Sequence, residues 1–73
     1  MAKTMTETRG ERIRRLRIDA GLSQFDLACA ARVEKHTIAN YESGRRGATN
    51  ADTLKSLSVA LGVDIQYLVD APL

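Results

Sequence analysis

The sequence predicts a single, compact all-α domain. Aromatic residues make up only 4% of the 73 residues and tryptophan is absent, so aliphatic side chains must fill the interior. Apolar residues recur at helical spacing, whereas the alternating runs that indicate strands are missing. A chain of this length buries only about 60% of its unfolded surface, so a partner subunit would add to its stability. We divide it into a flexible N-terminal arm (1–7), a folded domain (8–70) and a tail (71–73).

The first helix is predicted to begin at a capping box and to end at a glycine. In the box, the Thr8 hydroxyl accepts from the third helical residue, Glu11, whose side chain bonds back to the Thr8 backbone. Gly21 stands where helices commonly end in the left-handed conformation. Between these signals, helical spacing predicts a buried stripe of Ile13, Leu16 and Ala20.

Residues 24–43 are predicted to form two short helices joined by a tight turn. Ser23 can cap the first of them, and Leu22 and Leu27 flank this cap at the spacing of a hydrophobic staple. The same spacing recurs one helix later, so the second helix begins at about Lys35.

The turn between these two helices contains Arg32 at a position that usually adopts a positive φ. A side chain with a Cβ atom costs on the order of 1 kcal/mol there relative to glycine. We therefore expect a strained backbone at Arg32.

The second of these helices has one apolar face and one short, polar face. At 100° per residue, Ile38, Tyr41 and Glu42 share the inner face. The outward side chains are His36, Ala39, Asn40 and Ser43, with Lys35 and Thr37 at the leading end. Such groups can hydrogen-bond or contact base edges in the DNA major groove. A solvated polar face without a ligand is the alternative.

A specific motif runs through this part of the chain: Ser23-Gln24, Leu27-Ala28, Val33, Thr37-Ile38 and Tyr41-Glu42-Ser43-Gly44-Arg45-Arg46. The pattern resembles the lambda-repressor-like, Cro/CI-type helix-turn-helix family, also called the XRE family, over residues 10–68. The resemblance implies a compact five-helix DNA-binding domain in which the second and third helices form the helix-turn-helix.

The resemblance also implies roles for individual side chains on DNA. Those expected to face bases in the major groove are Lys35, His36, Thr37 and Asn40. The resemblance assigns Gln24 to a phosphate, and we also assign Arg32, Ser43, Arg45 and Arg46 to phosphates. For the basic loop after the third helix, simple solvation of the arginines is the alternative to phosphate contact.

The resemblance pairs Arg17 with Glu42, which would lock the first helix to the third. If the pair is largely buried, loss of one partner should cost roughly 3–5 kcal/mol, because the other charge is left unpaired. An exposed pair would contribute less than about 1 kcal/mol.

A fourth helix is predicted from a cap at Thr49 or Asn50 to a stop at Gly62. Its inner face carries Leu54, Leu57 and Leu61 at helical spacing. Ser58 falls between these leucines, where its hydroxyl can bond to a carbonyl one turn back.

A short last helix, capped by Asp64, is predicted to close the core. The apolar residues near this end exceed what the core needs, and the family resemblance implies a twofold contact there. The residues assigned to this homodimer contact are Ile65, Tyr67, Leu68 and Val69. A monomer with these side chains folded back is the alternative.

Basic residues are concentrated in two places, although the net charge is only +2. They crowd the first helix and the loop after the third: Arg9, Arg12, Arg14, Arg15 and Arg17, then Arg45 and Arg46. This distribution favours a nucleic-acid partner more than the net charge does. Solvated helix-surface arginines are the alternative.

Composition excludes several classes of protein. Cys29 and His36 are the only cysteine and histidine, which excludes an internal disulfide and leaves no ligand set for zinc. The chain has one histidine and no phosphate-binding loop, so it lacks the side chains that a catalytic site needs. We therefore expect neither an enzyme nor a cofactor. Without a long apolar stretch or a signal-peptide core, we expect a cytoplasmic protein with no membrane segment.

The expected partner is a double-stranded DNA operator of pseudopalindromic sequence, bound by a homodimer that regulates transcription. The alternative is an antitoxin or adaptor that uses the same fold to bind a protein, such as a toxin or RNA polymerase. Apolar side chains predicted to be exposed, among them Ile18, Phe25 and Tyr67, offer contacts for that alternative.

Overall fold

Five helices and short connections make up the fold. The computed structural model describes residues 7–45 and 50–73. The helices are α1 (Arg9–Asp19), α2 (Gln24–Ala31), α3 (Lys35–Ser43), α4 (Ala51–Leu61) and α5 (Ile65–Val69). No strand occurs in the described ranges, and no helix there is long and apolar enough to cross a bilayer. The all-α, five-helix prediction is confirmed.

The predicted caps explain where most of these helices begin. Thr8 and Glu11 form the expected capping box at α1, and Ser23 forms another with Asp26 at α2. At α4 the Asn50 side chain accepts from two backbone N–H groups, so Asn50 is the cap. The other candidate cap, Thr49, lies outside the described residues.

The core contains aliphatic side chains from all five helices. Six of them are fully buried: Ile13, Leu27, Ile38, Leu54, Leu57 and Leu68. Ser58 is also buried, and its hydroxyl donates to the Lys55 carbonyl at 2.7 Å, as predicted.

Three residues of the predicted inner stripes are less buried than expected. Leu16 is only partly buried against the core. Ala20 is exposed, because α1 ends at Asp19 and the chain turns away from the core through Ala20 and Gly21. Leu61, the last residue of α4, is only partly buried against the core. Ala20 and Leu61 lie at helix ends, where helical periodicity no longer fixes the direction of a side chain.

Gly10 is where α1 comes closest to α3. It is buried, and a Cβ atom built on it would overlap the Tyr41 carbonyl oxygen. Only glycine allows this approach, and the sequence analysis did not identify it.

The start of α1 is tied to the end of the chain by Arg9. Its backbone N–H donates to the Pro72 carbonyl at 2.7 Å. Its guanidinium donates to the carbonyls of Ala71 at 2.9 Å and Val69 at 2.8 Å. The guanidinium therefore satisfies carbonyls at and beyond the C-terminus of α5, which a helix leaves without partners.

Arg12 and Arg15 extend this contact along α1. Arg12 donates to the Tyr67 carbonyl at 2.8 Å and stacks 4.3 Å from the centre of its ring, and Arg15 donates to the Tyr67 hydroxyl at 2.7 Å. Glu7 accepts from both arginines. We call Glu7, Arg9, Arg12 and Arg15 the arginine clasp. Its arginines bind the chain's own C-terminal region, so their position on α1 is not evidence for a nucleic-acid partner.

Candidate nucleic-acid interface

The outward face of α3 is formed by small polar side chains over a buried apolar base. Ile38 is fully buried and Tyr41 is 6% exposed, so these two side chains fix which face of α3 points outward. On that face Lys35, His36 and Ser43 are exposed, while Thr37, Ala39 and Asn40 are partly exposed. The fold therefore leaves all four predicted base-reading side chains at least partly exposed, on a single helix.

The turn between α2 and α3 sets the angle of that helix. Arg32 adopts the left-handed conformation, with φ 61° and ψ 44°, as its position predicts. The Arg32 and Val33 backbone N–H groups donate back to carbonyls near the end of α2, those of Cys29 and Ala28. At the start of α3 the N-cap residue, Glu34, makes no side-chain capping bond.

Arg17 and Glu42 form a bidentate ion pair between α1 and α3. Arg17 Nε and Nη2 donate to the two carboxylate oxygens at 2.7 Å and 3.0 Å. The side chains are 11% and 4% exposed, so this is the buried case, in which loss of one partner costs roughly 3–5 kcal/mol. The Glu42 carboxylate raises the pKa of Arg17 above its ordinary value, and Arg17 also donates to the Leu22 carbonyl.

Gln24, assigned to a phosphate, is the third member of this cluster. Its side-chain Nε2 donates to Glu42 Oε1 at 3.1 Å. This bond was not predictable from the sequence, because a glutamine and a glutamate separated by 18 residues leave no periodic signal.

The other phosphate-assigned residues lie at both ends of α3. Arg32 precedes the helix and is exposed; it lines a shallow cleft between α2 and α4 with Asp52, Lys55 and four apolar or small residues. At the far end, Ser43 Oγ donates to the Asn40 carbonyl at 3.2 Å and accepts from the Arg45 backbone N–H at 3.3 Å. Arg45 is exposed, and Arg46 lies outside the described residues.

The residues assigned to the dimer contact divide into a buried and an exposed set. Leu68 is fully buried in the core of the protomer, where it anchors α5 to the other helices. Ile65 is partly buried. Tyr67 and Val69 are each 38% exposed and Leu73 is 64% exposed. The exposed apolar area in the last residues of the chain thus comes from Tyr67, Val69 and Leu73, although Arg12 stacks on the Tyr67 ring.

Exposed apolar side chains also occur on α1 and α2. Phe25 is 62% exposed and Ile18 is 50% exposed, and Cys29, one turn after Phe25 on α2, is exposed as a free thiol. These side chains are separate from the outward face of α3.

Comparisons with known proteins agree with this geometry. A family model described as a helix-turn-helix domain matches residues 10–72. No significantly similar sequence was found among curated proteins.

Several solved structures match closely in fold and in sequence. The N-terminal DNA-binding domain of SinR from Bacillus subtilis is 29% identical, with a TM-score of 0.81 over 85% of this chain and 90% of that chain. The P22 c2 repressor, solved in complex with a synthetic operator, is 32% identical, with a TM-score of 0.80 over 86% and 94%. The restriction-modification controller protein C.AhdI from Aeromonas hydrophila is 30% identical, with a TM-score of 0.77 over 82% and 89%.

Proposed function

We propose that this chain, which belongs to the lambda-repressor-like helix-turn-helix family of DNA-binding transcription regulators, binds a pseudopalindromic operator as a homodimer. The observation that carries the proposal is the outward face of α3, whose hydrogen-bonding side chains stay exposed or partly exposed while Ile38 and Tyr41 are buried beneath them. The P22 c2 repressor, similar over most of this chain, was solved with an operator. Operator occupancy in the cytoplasm would then block or recruit polymerase.

Base reading is assigned to the side chains along this face: Lys35, His36, Thr37 and Asn40. An asparagine can bond bidentately to adenine, and Lys35 or a protonated His36 can donate to the acceptors of guanine. All four come from the first two turns of α3, so a single helix inserted into the major groove can present them together.

Phosphate contact is assigned to the side chains around this face: Gln24, Arg32, Ser43, Arg45 and Arg46. Such contacts position the protein without reading sequence, and each charged one releases counterions from DNA. Exposure of Arg32 and Arg45 at opposite ends of α3 supports their assignment. For Arg46 the proposal rests on its place in the sequence next to Arg45.

Dimer formation would place two copies of α3 in successive major grooves, roughly 34 Å apart. The support is the apolar surface that Tyr67, Val69 and Leu73 leave exposed at one end of the protomer. The partly buried Ile65 would border that contact. Sedimentation equilibrium at micromolar concentrations tests this step, and a strictly monomeric chain that still binds one full operator would contradict it.

The decisive experiment compares two variants on selected and scrambled duplexes. We expect Asn40→Ala to lose discrimination at one base pair, on the order of 1–3 kcal/mol, because the amide reads a base edge. Arg45→Ala should weaken binding to all sequences alike and reduce the slope of log affinity against log salt by about 1. Both quantities come from fluorescence anisotropy across a salt series.

The matched control is Lys55→Ala, which removes an exposed lysine on α4 and should leave discrimination unchanged. Equal affinity of the unsubstituted chain for selected and scrambled duplexes would refute sequence-specific binding. Uniform weakening by Asn40→Ala would instead move that residue to the phosphate contacts.

A second candidate function, binding of a protein such as a toxin or polymerase, rests on Phe25. Its aromatic side chain is 62% exposed and offers a large apolar area that a protein partner could bury. Phe25→Ser should leave operator affinity within about twofold while abolishing a protein-dependent effect, for example activation of a promoter in a purified transcription reaction. Unchanged activation or toxin neutralisation by the Phe25→Ser protein would eliminate this candidate.

A further inference from the structure

The Gln24 side chain is held by a carboxylate that is itself fixed by an ion pair. Glu42 Oε1 accepts from two side chains, Arg17 Nη2 at 3.0 Å and Gln24 Nε2 at 3.1 Å. The carboxylate is 4% exposed, so it has little freedom to follow the glutamine. One carboxylate oxygen thereby connects α1, α2 and α3.

This arrangement determines which way the Gln24 amide points. A carboxylate accepts hydrogen bonds and cannot donate them, so the amide nitrogen, not the amide oxygen, must face Glu42. The nitrogen carries two hydrogens, and the bond to Glu42 uses one. The second N–H is left to donate elsewhere.

The position of the cluster decides where the second N–H can act. Glu42 is in the last turn of α3, next to Ser43 and three residues before Arg45, both of which are exposed. Gln24 is therefore held beside the end of α3 to which we assign phosphate contacts. The Glu42 charge would repel a phosphate there, but the bidentate bond to Arg17 neutralises it.

We propose that Glu42 is a positioning residue for DNA binding, because it holds the Gln24 amide by one N–H and presents the other N–H to a phosphate. The inference rests on the proposed function, since it assigns a partner to one of its phosphate contacts. A free glutamine side chain loses rotational entropy when it binds a phosphate. Because Glu42 already fixes the amide in the free protein, this entropy cost on DNA binding is smaller. Gln24 and Glu42 should therefore act on DNA affinity as a coupled pair.

The first test needs no substitution and no DNA. Gln24 and Gln66 are the only glutamines in the chain, and Gln66 Nε2 donates to Asp70 Oδ1 at 2.8 Å on the exposed surface of α5, which makes it a matched control. In a ¹H–¹⁵N spectrum of the free protein, one Gln24 side-chain proton should be shifted and protected from exchange. Two protons with the shifts of a free glutamine would overturn the proposal.

The second test titrates operator DNA into the same sample. The Gln24 proton that is not bonded to Glu42 should shift strongly on DNA addition, whereas the Gln66 protons should not move. Equal behaviour of the two glutamines, or a shift of only the Glu42-bonded proton, would refute the assigned orientation.

The third test is a double-mutant cycle on DNA affinity with Gln24→Ala and Glu42→Asp. Gln24→Ala should weaken binding roughly tenfold, as expected for one hydrogen bond to a charged group, without changing the salt slope, because the amide is neutral. Glu42→Asp keeps the charge beside Arg17 but withdraws the carboxylate by one methylene, so in that background Gln24→Ala should cost only about two- to threefold if preorganisation is lost. Gln66→Ala should stay within twofold of the unsubstituted chain.

The outcomes separate this inference from the proposed function. A tenfold loss for Gln24→Ala in both backgrounds would leave the phosphate contact and remove the positioning role of Glu42. A loss below twofold in the unsubstituted background would remove both. If the unsubstituted chain does not prefer its operator, the proposed function itself fails, while the spectrum of the free protein still decides whether Glu42 holds the amide.

Discussion

Arg32 has a left-handed backbone in the turn after α2, whereas the left-handed residue in three other turns of the fold is glycine. Its φ is 61°, and Gly21, Gly44 and Gly62 have φ values of 75°, 77° and 72°. A Cβ atom in this region meets the following carbonyl oxygen, so a non-glycine residue is strained there. The strain lies between α2 and α3, at the turn that sets the angle of the proposed DNA-reading helix.

We predict that Arg32→Gly stabilises the fold. Removing the left-handed cost of about 1–2 kcal/mol outweighs the roughly 0.4–1 kcal/mol by which glycine favours the unfolded chain, so the free energy of unfolding should rise by up to about 1 kcal/mol. Urea denaturation measures the change. A lower unfolding free energy would show that contacts of the Arg32 side chain outweigh the strain.

Gly62→Ala is the matched control for this prediction. Gly62 has nearly the same φ, and a Cβ atom added there would meet nothing within 4 Å. The loss of stability in that variant therefore measures the left-handed backbone cost less the entropy that alanine removes from the unfolded chain. These are the two contributions that oppose each other in Arg32→Gly, so the loss should be up to about 1 kcal/mol.

At the scale of the helices, the close approach of α1 to α3 depends on Gly10. A Cβ atom at this position would overlap the Tyr41 carbonyl oxygen, and a backbone atom cannot move aside as a flexible side chain can. The close packing at Gly10 therefore fixes the distance between α1 and α3.

We predict that Gly10→Ala destabilises the domain, although alanine is the better helix former. Separating the two helices should cost on the order of 1–3 kcal/mol, as in other overpacked cores. Thermal melts measure the change, with Arg14→Ala on the exposed face of α1 as a control that should stay within about 0.5 kcal/mol. A Gly10→Ala protein as stable as the unsubstituted chain would mean that α1 can shift freely along α3.

The limits of helices were predictable from sequence because they depend on local chemistry. The caps Thr8 and Ser23 and the stop at Gly62 each act within a few residues, and all three were predicted. Contacts between helices were harder to predict, because nothing near Gly10 or Gln24 in the sequence identifies Tyr41 or Glu42 as the contacting residue. The Arg17–Glu42 pair was expected only because the motif resembles a known family.

The proposed DNA-reading face was also predictable, for a related reason. Burial of Ile38 and Tyr41 follows from periodicity, and the orientation of His36 and Asn40 then follows from helix geometry alone. The functions assigned to these side chains depend on a ligand, so they remain proposals. Conversely, the crowding of arginines on α1 favoured a nucleic-acid partner at the sequence level. That inference failed because the sequence does not show that the C-terminal region of the same chain binds three of these arginines.

For the whole molecule, the arginine clasp connects the two ends of the described fold. Glu7 is its only acid, and hydrogen bonds from Arg15 and then Arg12 lower the pKa of Glu7 from 4.5 to about 2. A carboxylate whose pKa is lower in the folded state stabilises the fold above its unfolded pKa, and this contribution is lost as the pH falls through the folded value.

We predict that Glu7→Gln removes part of the acid sensitivity of the domain between about pH 4.5 and pH 2. At neutral pH the variant should be less stable by on the order of 1 kcal/mol, since solvent screens this partly exposed cluster, and the difference should vanish towards pH 2. Melting temperatures at pH 7, 4 and 2.5 measure it. Glu34→Gln, an exposed acid whose side chain caps nothing, is the control, and a pH-independent difference for Glu7→Gln would contradict the prediction.

Because the Arg9 backbone N–H bonds directly to the Pro72 carbonyl, the start of α1 and the C-terminal residues lie at the same corner of the molecule. A short linker that joins Glu7 to Leu73 would close the backbone into a ring with little strain, which should slow digestion by exopeptidases without disturbing α3.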